Sequence, residues 1–362
     1  MPLGSVAAPS KLGLIYYVPD KIMWYDEPGF AKFRVFFQIY GLAAAPVDRT
    51  GTIKLPLRMK SLFPLPSMRS FTKTYKELCE ARAEELLKRA DKLDVPIFIM
   101  WSGGVDSTCV LVSLLKAATT SQKERMTVLL SDDSIVEYAD FYHTHIYGKL
   151  HQRSALEFPK LLDQGLLISG EFNDQLFGSD IISYAIQDVG FDTIAGPYDR
   201  RTIARIFWRM KPETAQFYVG LFDRLREVSP IPLKSNFDLL WWINFALKWQ
   251  TVYMRVLCHG NKFISREDLY APFFNTADFQ LWSMNNLDKR IKDNWCNYKW
   301  PAKEIIYDFT KDEHYRDNKK KHGSLYFLAK DFQRINFFLD ERFVFSENIN
   351  LSDFYQEDND FI

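Results

Sequence analysis

Residues 96–115 combine an apolar run, a turn of small residues and a second apolar run, and this order restricts the possible folds more than any other segment. The first run, Pro-Ile-Phe-Ile-Met-Trp at 96–101, has the length and composition of a buried β-strand. The turn at 102–107 is Ser-Gly-Gly-Val-Asp-Ser, and an apolar segment typical of a helix follows at 108–115. A strand that turns directly into a helix is the building unit of an α/β fold.

The turn at 102–107 is also suited to binding phosphate. Backbone N–H groups and the positive end of the helix dipole point out of such a turn. Gly103 and Gly104 have no side chains, so an anion can approach the backbone closely. A simpler interpretation is an ordinary helix start, with Ser102 or Ser107 as the capping residue. The segment is not a Walker A element, because no Lys follows the glycines.

The hexapeptide resembles the signature of the PP-loop ATP pyrophosphatase family, whose members cleave ATP between its α- and β-phosphates to adenylylate a substrate. The resemblance implies an α/β fold of the adenine nucleotide alpha hydrolase-like type, with a parallel sheet flanked by helices. It also implies ATP and Mg²⁺ as cofactors. The residues that it assigns to binding ATP or pyrophosphate in the turn are Ser102, Gly103, Gly104, Asp106 and Ser107.

A second segment, 166–178, again combines an apolar strand, a glycine turn and acidic residues. It resembles the Ser-Gly-Glu-Gly-x-Asp-Glu-x-Phe-Gly segment of the asparagine synthetase synthase domain. Phe172 replaces the second glycine of that pattern, and Gln175 replaces its second glutamate. By this resemblance Gly170 belongs with the ATP-binding residues. The matching positions are Ser169, Gly170, Glu171, Asp174, Phe177 and Gly178.

Asp106 and Asp174 are the candidate metal ligands. Each follows a predicted strand of a parallel sheet, and open α/β folds bind ligands at the edge formed by the carboxyl ends of such strands. A Mg²⁺ ion held by one or two carboxylates and by phosphate oxygens is the usual partner of a triphosphate. In the family the matching aspartates hold magnesium. Either residue alone is equally well explained as a helix-capping aspartate.

Glu171 is the candidate acid/base residue. If the second substrate is an amine or ammonia, its attack on an acyl-adenylate requires removal of a proton, which a nearby carboxylate can accept. The matching glutamate of asparagine synthetase-like enzymes lies near the reacting centre. The alternative is a structural carboxylate that accepts hydrogen bonds from turn amides.

Two further segments resemble the family in part. Residues 268–275 correspond to its Glu-x-Arg-x-Pro-Phe-Leu-Asp segment, but Tyr270 replaces the arginine and Asn275 the final aspartate. We therefore expect a proline turn that anchors aromatic core residues there. The next predicted strand after the turn helix ends at Leu130 and Ser131, which the resemblance assigns to the adenine pocket.

Lysines near the end of the chain are candidates for stabilising a leaving group. In the synthetase family a late lysine in a comparable basic stretch contacts the expelled pyrophosphate, and an ammonium on a long stem suits that role. We identify Lys303 and Lys320 as the catalytic candidates, although the spacing does not distinguish Lys320 from Lys319 or Lys321. A run of three lysines is also typical of a solvated loop.

The composition favours a cytoplasmic enzyme. The 362 residues include 46 basic and 46 acidic side chains, and the net charge of +0 gives no indication of nucleic-acid binding without excluding it. The four cysteines are far apart and include no Cys-x-x-Cys pair, which favours a reducing compartment. We expect no membrane contact, because no apolar stretch reaches the roughly 18 residues of a membrane helix and no secretory leader is recognised.

We expect three regions along the chain: a small β-rich N-terminal unit at 1–70, a PP-loop synthetase-like domain at 71–345 with a helical C-terminal part, and an acidic tail at 346–362. β-like runs at 12–18 and 33–40 mark the first region. The last dozen residues are expected to be frayed. The main predicted helices are 71–93, capped by Ser70, 203–228, and 238–258 with an aromatic core face.

These features predict an ATP-dependent, amide-forming ligase that releases AMP and pyrophosphate. It would adenylylate a carboxylate or related oxygen of a small molecule or peptide and pass the activated group to an amine or ammonia. Pro2 stands where the nucleophile of a glutaminase domain would be, and the first cysteine is Cys79, so we expect the amine or ammonia donor to be separate. The alternatives are PP-loop modification of a nucleobase or peptide, and a catalytically inactive nucleotide-binding regulatory protein.

Overall fold

The computed structural model describes residues 13–17, 46–53, 57–206, 212–258, 267–320, 337–339, 344–346 and 351–354. The strands in these residues are β1 (Leu14–Tyr17), β2 (Ile97–Met100), β3 (Met126–Leu130), β4 (His151–Ser154), β5 (Leu166–Ser169), β6 (Tyr270–Pro272), β7 (Phe337–Leu339) and β8 (Val344–Ser346). The α-helices are α1 (Tyr75–Leu93), α2 (Val105–Ala117), α3 (Thr120–Glu124), α4 (Asp132–Glu137), α5 (Ala139–Phe141), α6 (Phe158–Leu161), α7 (Asn173–Phe177), α8 (Ser179–Val189), α9 (Phe191–Ala195), α10 (Arg200–Ile206), α11 (Pro212–Glu227), α12 (Asn236–Leu247), α13 (Trp249–Leu257), α14 (Ala277–Asn285), α15 (Trp300–Thr310) and α16 (Glu313–Asn318).

The chain divides into two compact units, each assembled from separate segments. The helical unit contains Met1–Leu65, Gly178–Phe263 and Ala329–Ile362. The sheet unit contains Pro66–Phe177 and Ile264–Leu328. The three regions expected from the sequence, with boundaries at residues 70 and 345, stay predictions.

The sheet unit is built on five parallel strands in the order β4–β3–β2–β5–β6. The central strand β2 pairs Ile97 with Met126 of β3 on one side and with Leu166 of β5 on the other. Strands at the centre of a parallel sheet are covered on both faces, which explains why β2 and β5 are continuous apolar runs. The predicted α/β fold with a parallel sheet flanked by helices is confirmed at this level.

The direction of the strand order changes at β2. From β2 the chain continues through β3 to β4 at one edge, and it returns on the other side of β2 as β5. In open α/β sheets such a switch point leaves a crevice at the carboxyl ends of the strands, where ligands bind. The turn at 102–107 and the loop after β5 follow the two strands that flank this crevice.

Helix α1 begins later than the sequence suggests. It starts at Tyr75 rather than at residue 71, and its cap is Thr74 rather than Ser70. The Thr74 hydroxyl accepts a hydrogen bond from Glu77 N, while the Glu77 carboxylate accepts one from Thr74 N at 2.7 Å. This reciprocal capping box satisfies two backbone donors that would otherwise have no helical partner. It therefore determines where the helix begins.

The tryptophans of the helical unit that the structure describes are buried on α12 and α13. Trp241, Trp242, Phe245 and Trp249 have exposures of 0%, which confirms the predicted aromatic core. The helix expected at 238–258 is divided into two at Lys248, which ends α12 and precedes α13. Although α12 is almost entirely apolar, none of the helices in the described ranges is long and apolar enough to cross a membrane.

A three-stranded antiparallel sheet in the helical unit joins distant parts of the chain. Its strand order is β1–β7–β8, so the predicted strand at 12–18 pairs with residues 337–339. The run at 33–40 lies outside the described residues. Phe354 is buried and its carbonyl oxygen accepts a hydrogen bond from Arg58 N at 2.8 Å. Leu351–Phe354 form a 3₁₀ helix, so the expectation of a frayed tail is wrong for these four residues, and the rest of the last dozen lie outside the described residues.

Candidate functional site

The serines of the turn between β2 and α2 hydrogen-bond within the turn. The Ser107 hydroxyl accepts a hydrogen bond from Ser102 N at 3.0 Å and lies 3.0 Å from the Ser102 hydroxyl. Helix α2 begins at Val105 after Gly104, and no side chain caps it. Neither serine is the capping residue, so that interpretation of the turn is wrong. The first backbone N–H groups of a helix have no intrahelical partner, and without a side-chain cap they can donate to an anion.

Two glycines permit close contacts around this turn. Gly103 has φ +74°, and a Cβ atom there would lie 2.5 Å from the carbonyl oxygen of Ser134. A Cβ atom on Gly170, directly after β5, would lie 2.9 Å from Ser107 N. Neither position accommodates a larger residue without displacement of backbone. The loop after β5 therefore lies directly against the turn after β2.

Asp106 and Asp174 come together at the carboxyl edge of the sheet. They lie in the first turns of α2 and α7, and both contact the side chain of Lys299. Lys299 Nζ lies 2.7 and 2.6 Å from the two carboxylate oxygens of Asp106 and 2.5 Å from Oδ1 of Asp174. The side chains of the two aspartates are 23% and 24% exposed, whereas that of the lysine is 1% exposed. One buried cation is therefore shared by the two predicted metal ligands.

The sequence motifs do not identify Lys299. It is the N-cap residue of α15 and has a left-handed backbone with φ +53°. A cation at a helix N-terminus is unfavourable with respect to the helix dipole, and the two carboxylates offset that cost. The one sequence feature that points to Lys299 is Pro301. Proline favours the first turn of a helix, so Pro301 places Lys299 at a helix start.

A pair of hydrogen bonds orients Asp106. Asn173 donates through Nδ2 to Asp106 Oδ1 at 2.7 Å, and the Tyr75 hydroxyl donates to Asn173 Oδ1 at 2.7 Å. Burial raises the pKa of Tyr75 well above its ordinary value, so the hydroxyl keeps its proton and remains a donor. Asn173 occupies the unspecified position of the synthetase-like pattern, so the pattern alone does not single it out.

Lys303, a predicted catalytic residue, lies on α15 with its side chain fully buried. Its ammonium donates to the carbonyl oxygens of Cys296 at 2.7 Å and Lys319 at 3.0 Å, and lies 4.8 Å from the centre of the Tyr298 ring. Burial lowers the pKa of Lys303 to about 8. The two carbonyl contacts connect α15 to the chain on both sides of it.

The segment around α16 contacts the turn after β2. The Tyr315 hydroxyl donates to the carbonyl oxygen of Gly103 at 2.9 Å, and its ring stacks on Tyr138 with 3.8 Å between ring centres. Because Gly103 has a left-handed backbone, this hydrogen bond fixes the turn where its conformation is least common. Helix α16, near the C-terminal end of the sheet unit, thus holds the predicted phosphate-binding turn in place.

Of the three candidate lysines at 319–321, the structure brings Lys319 to the turn. Its ammonium lies 2.7 Å from Oε1 of Glu137, and both side chains are largely buried, at 9% and 15% exposure. That same oxygen would lie 3.4 Å from a Cβ atom on Gly104. Lys320 is exposed, and Lys321 lies outside the described residues.

The remaining predicted site residues lie at the ends of two strands, β5 and β3. Glu171 follows Gly170 after β5 and is half-buried. Leu130, also half-buried, ends β3, and the exposed Ser131 caps α4 by accepting a hydrogen bond from Ser134 N.

The segment after β6 is part of the core. The Tyr270 hydroxyl lies 3.3 Å from the Ser169 hydroxyl, so it contacts β5 at the position where the family pattern has arginine. Phe273 and Phe274 have exposures of 0%, as expected of a proline turn that anchors aromatic residues. Asn275, which replaces the final aspartate of that pattern, is half-buried just beyond them.

Phe172 has an unusual backbone for its residue type. It is 1% exposed and has φ +79°, a left-handed conformation that is rare for bulky residues. Glycine adopts this conformation without strain, and Phe172 stands where the synthetase-like pattern has glycine.

The two carboxylates are compatible with a magnesium ion whose other ligands come from elsewhere. Within the described ranges, no group of three or more His, Cys, Asp or Glu residues could hold a metal ion. Mg²⁺ commonly uses one or two carboxylates and takes its remaining ligands from water and substrate phosphates. Asp106 and Asp174 meet that requirement, provided that the Lys299 ammonium leaves the position between them.

No protein-family model matches the chain, and no curated protein matches its sequence.

Proposed function

We propose that this protein is an ATP-dependent, amide-forming synthetase of the PP-loop type, similar to the synthase domain of asparagine synthetases. It binds Mg-ATP at the turn between β2 and α2, adenylylates a carboxylate or related oxygen, and transfers the activated group to an amine or ammonia. The products are an amide, AMP and pyrophosphate.

The observation that carries the proposal is the convergence of Asp106 and Asp174. They lie 68 positions apart in the chain, yet Lys299 Nζ contacts both within 2.7 Å, at the strand ends that flank the switch point of the sheet. A single helix-capping aspartate has no reason to share a buried cation with a second one. Two carboxylates at the phosphate-binding edge of an α/β sheet are well suited to hold the magnesium of a nucleotide.

The backbone of Phe172 independently supports the resemblance to asparagine synthetases. A left-handed residue at this point is unexpected for phenylalanine but ordinary for the glycine of the family pattern. The chain thus keeps the conformation that the family glycine permits, although the residue type differs. Strain of this kind persists where the surrounding structure requires the conformation, which often occurs at functional sites.

The proposed reaction divides its work among the described residues. The carboxylate oxygen of the substrate attacks the α-phosphorus, the bond to the β-phosphate oxygen breaks, and pyrophosphate leaves. The turn at 102–107 holds the phosphates, and Lys319 lies beside it to stabilise the negative charge of the leaving pyrophosphate. Lys303 donates to the carbonyl oxygen of Lys319 and so holds that part of the chain in place. Glu171 then accepts a proton from the nitrogen nucleophile as that nucleophile attacks the acyl carbon and AMP leaves.

Isotope transfer tests the adenylylation step directly. The protein is incubated with ATP, Mg²⁺ and a panel of ¹⁸O-labelled carboxylates, with ammonia or an amine as acceptor. We expect AMP that carries one ¹⁸O atom, together with pyrophosphate and an amide. Exclusive release of ADP and phosphate would contradict the proposal.

A pair of matched variants makes this assay specific for the site. Asp106→Asn removes one charge from the cation position and is expected to lower AMP formation by roughly 10²–10³-fold. Asp163→Asn makes the same change at an exposed aspartate before β5, at the opposite end of that strand, and is expected to leave the rate unchanged. Equal losses of AMP formation in both variants would contradict the assignment of the active site to this position.

One observation favours a second candidate, a nucleotide-binding protein without turnover. Lys299 occupies the position between the two carboxylates by an internal contact, as expected if a metal is no longer needed. Stoichiometric binding of Mg-ATP with no AMP, over the whole panel of carboxylates, would favour this candidate over the synthetase.

A further inference from the structure

We propose that Lys299 is a resident cation, which occupies the magnesium position between Asp106 and Asp174 and is displaced when Mg-ATP binds. It makes nucleotide binding dependent on a divalent ion. The nucleotide part of this inference rests on the proposed function, whereas the competition between ammonium and metal concerns the two carboxylates alone.

The geometry of the three side chains is that of a filled cation site. The Lys299 ammonium lies within 2.7 Å of three carboxylate oxygens, which are the atoms that a metal ion would use. Two carboxylates this close repel each other unless a cation lies between them. Because the aspartates remain about a quarter exposed while the lysine is 1% exposed, a metal ion can approach the carboxylates from solvent.

Exchange of the cation reverses the local charge. With Lys299 in place, the two carboxylates and the ammonium carry one net negative charge, which repels a triphosphate. With Mg²⁺ on the carboxylates, the metal and the displaced ammonium together leave one net positive charge. The triphosphate of ATP is therefore repelled by the site in the absence of a divalent ion and attracted to it once Mg²⁺ lies on the carboxylates.

The backbone of Lys299 keeps the displaced ammonium near the phosphates. Lys299 N donates to the carbonyl oxygen of Arg290 at 3.0 Å, and the residue directly precedes α15. Its side chain can rotate about its own bonds while its Cα atom stays fixed, so the ammonium remains at the carboxyl edge of the sheet. There it can contact phosphate oxygens, as lysines commonly do.

Binding of Mn²⁺ in the absence of nucleotide tests the competition. Bound and free Mn²⁺ are distinguished by electron paramagnetic resonance in the wild-type protein, in Lys299→Met, and in Lys292→Met as the matched control. Lys292 is exposed and its ammonium lies 4.4 Å from the Trp300 ring centre, so its loss removes a nearby charge without touching the carboxylates. We expect Lys299→Met to bind one Mn²⁺ ion at least about tenfold more tightly than the other two proteins.

A double variant locates the bound ion. Adding Asp174→Asn to Lys299→Met is expected to abolish the gain in Mn²⁺ affinity. If Lys299→Met binds Mn²⁺ no more tightly than the wild type, or if the gain persists without the Asp174 charge, the inference is overturned.

A measurement on the wild type keeps the inference testable if Lys299→Met does not fold. ATP affinity is measured by calorimetry with excess Mg²⁺ and with EDTA, and we expect at least about tenfold weaker binding in EDTA. Equal affinities would overturn the inference. Neither arm requires turnover, so a protein that binds Mg-ATP and Mn²⁺ as described but forms no AMP would refute the proposed function alone.

Discussion

The two units each bury a cation, but they surround it differently. In the helical unit, Arg49 is 6% exposed and donates to the backbone carbonyls of Phe63, Phe245 and Pro64 at 2.6, 3.0 and 3.2 Å. Its guanidinium also lies 4.6 Å from the centre of the Trp249 ring. In the sheet unit, Lys299 contacts two carboxylates.

This difference separates a structural cation from an exchangeable one. Carbonyl oxygens spread along the backbone match the planar fork of arginine, and a metal ion could not replace all of its contacts. Two carboxylates converging on a single point match any cation of suitable size, including a divalent metal. The partners of a buried cation therefore indicate its role better than its burial does.

Stability measurements test this comparison, and they are expected to give the largest effect. Arg49→Met leaves three backbone carbonyls without this donor, so we expect the free energy of unfolding in urea to fall by about 3 kcal/mol, with no recovery in Mg²⁺. Lys299→Met is also expected to lower the free energy of unfolding, but addition of Mg²⁺ should restore that free energy. Arg153→Met, which removes an exposed arginine paired with Glu157, is the control and should change stability by less than about 1 kcal/mol. If Mg²⁺ also restored the stability of Arg49→Met, the distinction between a structural and an exchangeable cation would be wrong.

A pH series examines Lys303, another buried cation of the sheet unit. Its folded pKa of about 8 lies below the unfolded value, so between about pH 8 and pH 10.4 the unfolded chain binds more protons and stability rises with pH. Below about pH 8 the lysine is charged in both states and its contribution is constant. Relative to Lys303→Met, the wild type should therefore gain on the order of 1–3 kcal/mol between pH 7 and pH 10 in urea unfolding.

The control for this series is Lys289→Met, at an exposed lysine. Its difference in stability from the wild type should stay constant over the same pH range. If the difference in stability between the wild type and Lys303→Met did not change with pH, burial would not lower the pKa of this lysine.

A smaller effect separates the lysines beside the turn. Lys319→Met removes the ammonium next to Glu137 and the turn, whereas Lys320→Met changes an exposed side chain. We expect Lys319→Met to reduce the rate of AMP formation about tenfold more than Lys320→Met. The reverse order would support Lys320, the candidate chosen from the sequence.

The smallest expected effect is that of Tyr75→Phe. Loss of the hydroxyl removes the hydrogen bond that holds Asn173 against Asp106, so stability should fall by about 1 kcal/mol. The Mg²⁺ concentration needed for half-maximal AMP formation should rise a few fold. Tyr147→Phe, at a tyrosine that is 62% exposed, should alter neither quantity, and equal effects would exclude a positioning role for Tyr75.

The parts of the fold that local sequence patterns determine could be predicted. The apolar run and glycines around residue 102 predict a strand, a turn and a helix, and Asp106 and Asp174 follow strands whose parallel pairing places them at one edge. Even the cap of α1 was available in the sequence, because Thr74 and Glu77 have the spacing of a capping box.

The parts that depend on tertiary contacts could not be predicted. Lys299 reaches Asp106 across 193 positions of the chain, and no local pattern records that contact. The choice between Lys319 and Lys320 depends on the direction of each side chain after α16. Asn173 acts through its position between Tyr75 and Asp106, which the synthetase-like pattern leaves unspecified.

The order of segments in the sheet unit has a consequence for synthesis on the ribosome. Strands β2 to β5 emerge first, followed by Gly178–Phe263 of the helical unit, and only then by β6 and Lys299. Until that point, the chain contains Asp106 and Asp174 but not Lys299, and β5 lacks its neighbour β6. A nascent chain therefore acquires Lys299 late in translation, and a product terminated before residue 299 carries both carboxylates without the ammonium that lies between them.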